Sequence, residues 1–110
     1  MNPYLLSQGI EDSAHAHADR EAFRCGSRSL SYSELLQQAN RLANTLRELG
    51  VRRMDRVGIY LPKSLETAVS VYGILRAGAA YVPIDPSAPP ERVAFILQDC
   101  GIQVLLTRPE

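Results

Sequence analysis

Along residues 35–49 the apolar positions Leu35, Leu36, Ala39, Leu42, Ala43, Leu46 and Leu49 recur in steps of three and four, which places them on one helical face. Ser31 followed by Glu34 reads as a capping box at the start of that helix. Gly50 supplies a left-handed cap at its end, with Val51 folding back on the last turn. After residue 56 the period changes. Val57, Ile59 and Leu61 read as a buried strand stopped by Pro62, and Ser64 caps the next helix, LETAVSVYGILRA, which ends at Gly78. Ala80–Ile84 reads as a strand. Pro89 and Pro90 stand where a helix starts, since proline lacks only a donor that would be unpaired there. That helix, ERVAFILQDC, ends at Gly101, and QVLLT forms a last strand.

The first thirty residues are less regular. Residues 4–17 are expected to form a helix with Leu5, Leu6, Ile10 and Ala14 on one side. Residues 21–32 read as a hairpin, with Gly26-Ser27 as a two-residue turn that takes glycine first. The whole predicts an α/β fold: an N-terminal hairpin and helix, then β-α-β-α-β with a parallel sheet. Helix 65–77 is small or apolar nearly all round, so it should be buried on more than one side. With so little chain to cover it, association through Val71, Ile74 and Leu75, or through the edge of strand 102–107, is expected.

Composition narrows the function. At 110 residues the chain fits one domain. Twelve basic and twelve acidic residues cancel, so neither a nucleic-acid nor a membrane partner is predicted. No apolar run reaches the length of about 18 residues that a spanning helix needs, and the N-terminus lacks a signal-peptide pattern. Cys25 and Cys100 are far apart and form no C-x-x-C, which fits a reduced, cytoplasmic protein.

The candidate chemistry is sparse. There is neither a G-x-G-x-x-G nor a complete phosphate loop. Gly73 and Gly78 have the spacing of the second, but Ala79-Ala80 stand where Lys and Ser/Thr are needed, so both read as a packing glycine and a cap. Lys63 precedes a helix N-terminus, where a phosphate would sit; it reads as a solvated loop residue. His15 and His17 are two apart and cannot chelate together on a helix. Cys25 has no histidine placed to activate it, and Cys100 reads as packing at a helix end. Glu66, Asp85 and Glu91 form no visible pair, and Asp85 before Pro86 reads as a turn former.

Two longer stretches carry more. "LSYSEL" at 30–35 resembles the first core motif of the AMP-forming adenylate-forming enzymes, and "LRAGAAYVPIDP" at 75–86 resembles the second. "GVRRMDRVGIYLPKSLETAVSVYGIL" before the second motif and "PPERVAFILQDCGIQVLLT" after it are similar to the family too. The family comprises acyl-CoA synthetases, adenylation domains of nonribosomal peptide synthetases and related ligases. The resemblance implies activation of a carboxylate by ATP and Mg²⁺ to an acyl-adenylate, with release of pyrophosphate, then transfer to coenzyme A or a carrier-protein phosphopantetheine. It also implies that both motifs present are architectural, and that the phosphate loop, acyl pocket, ribose-binding aspartate and catalytic lysine belong beyond residue 110. No catalytic, cofactor-binding or metal-binding residue is therefore carried onto this chain. Residues 1–110 are expected to be one partial domain, the start of the large AMP-binding domain, and inactive alone. The competing expectations are a non-catalytic interaction protein or split-enzyme half that docks on the rest of such a domain, and an independent nucleotide-binding module.

Overall fold

A helix with one leucine-rich face must bury it, and this chain offers both a second helix and a sheet. In chain order the elements are α1 (Pro3–Ala16), β1 (Glu21–Cys25), β2 (Arg28–Ser31), α2 (Tyr32–Glu48), β3 (Arg56–Tyr60), α3 (Leu65–Arg76), β4 (Ala80–Pro83), α4 (Pro90–Asp99) and β5 (Val104–Thr107). The computed structural model describes residues 3–108, apart from the side chains of 3–8 and 10. β1 and β2 form an antiparallel ribbon, while β4, β3 and β5, in that order, form a parallel sheet. This is the α/β architecture expected, with β3 at the sheet centre.

Helix ends follow the local chemistry. Ser31 Oγ accepts from Glu34 N at 3.1 Å, and Glu34 Oε1 accepts from Ser31 N at 2.9 Å, so the capping box is closed both ways. Ser64 caps α3 through Thr67 N, and Pro89-Pro90 open α4. α2, α3 and α4 all stop by one device. Gly50 N, Gly78 N and Gly101 N donate to carbonyls three residues back, and the next amides, of Val51, Ala79 and Ile102, donate five residues back. That pairing is the Schellman motif, which needs a left-handed residue; Gly78 sits at φ 82. In the hairpin, Gly26 at φ 63 opens the turn and Cys25 pairs with Arg28, as its two-residue length requires.

α2 and α3 lie together over one face of the sheet. Their shared core joins Ala43, Leu46, Ile74 and Ala77 to Val57 and Ile59 of β3, with Val104 and Leu106 of β5 packed alongside. A smaller cluster of Leu30, Leu35 and Leu65 ties the hairpin to both helices. Alternation turns Gly58 to the opposite face, where Leu105, Ile102 and Ile84 close over it.

Two expectations change. Ile74 and Leu75, expected at an association surface, are 0% and 5% exposed, because α2, the sheet and the hairpin already cover α3. Leu49 is exposed, since it is the C-cap residue of α2 and projects past the end of the interface with α3. Of the predicted apolar side of the first helix, Ala14 is buried, and Leu5, Leu6 and Ile10 lie outside the described side chains.

Gly73 tests the helix contact and Gly78 the cap. A Cβ on Gly73 would stand 2.6 Å from Leu42 Cδ2 and 2.9 Å from Leu42 Cβ, so Gly73→Ala should destabilise by about 1–3 kcal/mol despite alanine's better helix propensity. Space around Gly78 is ordinary, with Arg53 Cα 3.7 Å from the added carbon, so Gly78→Val should lose about 1–3 kcal/mol from backbone strain alone. Urea unfolding measures both; wild-type stability in Gly73→Ala would mean that the helices are not in close contact. Met54 is the converse case, a non-glycine residue at φ 72 with its side chain 76% exposed. Met54→Gly should raise stability by about 0.5–1 kcal/mol by relieving strain, and a lower urea midpoint would contradict that.

Candidate functional site

In parallel α/β sheets, ligands bind outside the carboxyl ends of the strands. Here that end holds a cavity of about 410 Å³ between α2, α3 and the end of β5. Leu42, Leu61, Val69 and Leu106 make its apolar walls, while Glu66 and Arg108 bring charge. Ser64 caps α3 and so fixes Glu66 in the first turn of the helix. Arg28 of the hairpin donates to Glu66 Oε1 at 2.9 Å, and Arg108 Nη2 stands 3.9 Å from Oε2. Oε2 is shielded from solvent and accepts no hydrogen bond among the described residues. Glu66 is held below the usual glutamate range, first by its own backbone N–H and then by Arg28, against a smaller opposing effect of burial.

The residues singled out from sequence are not brought together. Lys63 is exposed in the loop before α3. Cys25 is exposed at the end of β1 and shares a shallow groove with Lys63, Phe23 and Leu65. Cys100 is the half-buried C-cap residue of α4, and both thiols are free. His15 and His17 are exposed at the end of α1 and just beyond it. Asp85 is a turn former: its Oδ1 accepts from Ser87 N at 2.9 Å and Ser87 Oγ at 2.8 Å, and these bonds, in that order of importance, hold its pKa below the ordinary aspartate value. Glu91 is exposed in the first turn of α4. Glu66 is what sequence reasoning missed. Its partners lie 38 residues before it and beyond β5, and no local pattern announces them.

These groups do not make a site for ATP and Mg²⁺. The cavity's one carboxylate is already paired with arginine, and Ser64 occupies the cap of the helix that faces it. Among the described residues no group of three His, Cys, Asp or Glu side chains is placed to hold a metal. Among the described residues no helix is long and apolar enough to cross a membrane. What the arrangement does achieve is mechanical: one carboxylate links the hairpin, α3 and the end of β5.

A parallel sheet continued by capped helices, and motifs spent on turns rather than on reacting groups, define a scaffold of the adenylate-forming type. The chain belongs to the AMP-binding enzyme family, whose model matches residues 10–110. It is 46% identical over 101 residues to surfactin synthase subunit 1 of Bacillus subtilis and 48% identical over 100 residues to tyrocidine synthase 2 of Brevibacillus parabrevis. The matches take in 92% and 91% of this chain but 3% of each relative. Among solved structures, the nonribosomal peptide synthetase FmoA3 superposes with a TM-score of 0.90 at 43% identity, over 94% of this chain and 11% of that one. A fatty acyl CoA synthetase of Mycobacterium tuberculosis matches with a TM-score of 0.85 at 30% identity, over 91% of this chain and 20% of its own. The chain thus spans a small part of the proteins it is similar to.

Acid tests the carboxylates. Glu34, Glu66 and Asp85 all have lowered values in the folded state. Each adds stability while ionised above its unfolded value, and that stability is lost as pH falls through the folded one. Stability should therefore fall on acidification below the ordinary glutamate value of 4.5. Glu66→Gln should flatten that fall by less than about 1 kcal/mol, since both arginines and much of the Glu66 side chain are open to solvent even though Oε2 is shielded. Urea midpoints followed from about pH 6 to pH 3 give the curve. A profile unchanged by Glu66→Gln would show that the bridge adds nothing.

Proposed function

We propose that residues 1–110 are the opening part of an AMP-binding domain that activates an amino acid with ATP and passes it to a carrier-protein thiol. The observation that carries this is the gradient of likeness: 46% and 48% identity to peptide synthetases against 30% to a fatty acyl CoA synthetase. The chemistry is attack of a carboxylate oxygen on the α-phosphorus of ATP, with pyrophosphate leaving. Mg²⁺ supplies charge neutralisation at the phosphates. This chain's residues contribute scaffold to that reaction. Its two motifs build the start of α2 and the α3-to-β4 passage, and its carboxylates are engaged in caps, turns and the Glu66 bridge. The reducing cytoplasm is the compartment proposed, with both thiols free.

The chain alone should therefore catalyse no carboxylate-dependent exchange of labelled pyrophosphate into ATP and should not bind ATP in a calorimetric titration. Exchange above buffer, in protein freed of host ligases, would overturn the assignment of these residues to the scaffold.

A further inference from the structure

We draw no further inference here: the strongest candidate, the shallow groove in which Cys25, Phe23 and Lys63 stand beside the Ser64-capped start of α3, rests on a lone exposed thiol, and no second observation among the described residues points to a ligand there.

Discussion

The added Cβ of an alanine at position 73 would lie closer to Leu42 than carbon atoms approach, so α2 and α3 pack at a separation that glycine permits. That contact sets the rest. With the helices this close, Leu46, Ala43, Ile74 and Ala77 form one apolar layer, and Val57 and Ile59 of the central strand meet it. The polar contacts at the far end agree with the same spacing. Arg76 donates to Asn40 of α2, and Arg47 of α2 donates to the Arg76 carbonyl at 2.6 Å. An arginine on a helix's last exposed carbonyl also suits the negative end of its dipole. Moving α3 outward by a methyl group would disturb the sheet contact and this polar pairing together.

Much of this was legible because it is local. The Ser31–Glu34 box, the Ser64 cap, the glycine ends and Pro89-Pro90 each depend on residues within a few positions of one another, and each stands where the pattern put it. The parallel sheet follows from strands separated by helices. Less could be read where partners are distant. No pattern in the sequence says that β5 lies on the far side of β3 from β4, that Leu42 needs Gly73 bare, or that Glu66 lies between Arg28 and Arg108. Apolar composition also misled. Helix 65–77 looked undercovered from its residues alone, yet the hairpin, α2 and the sheet suffice to bury Ile74 and Leu75. Exposure falls on α4 instead, none of whose residues is buried.

The stretch LRAGAAYVPIDP shows why a closely specified motif need not hold a reacting group. Leu75, Ala77 and Ala79 are buried, and Gly78 takes the left-handed conformation that turns the chain from α3 into β4. Small side chains there let Met54 N reach the Gly78 carbonyl at 2.8 Å and Ala80 N reach that of Asp55 at 2.8 Å, which joins the α3-to-β4 turn to the loop before β3. At the other end Ile84 is buried, and Tyr60 Oη donates to the Pro86 carbonyl at 3.0 Å, fixing the exit that Asp85 and Ser87 shape. A larger residue at 77 or 79 would separate the helix from the sheet, and a flexible one at 83 or 86 would release the exit.

A parallel sheet is stable with both faces covered, and the two faces here are covered unequally. α2 and α3 seal one with side chains that are close to fully buried. On the other, Leu105, Ile102 and Ile84 close over Gly58, and the added Cβ of an alanine at 58 would stand only 2.8 Å from Leu105 Cδ1. The tight fit at Gly58 seats β5 against the centre of the sheet, so even the thinly covered face has a defined shape. That shape matters for a scaffold. The register of β5 with β3 is set by Gly58 and Leu105 within this sheet itself.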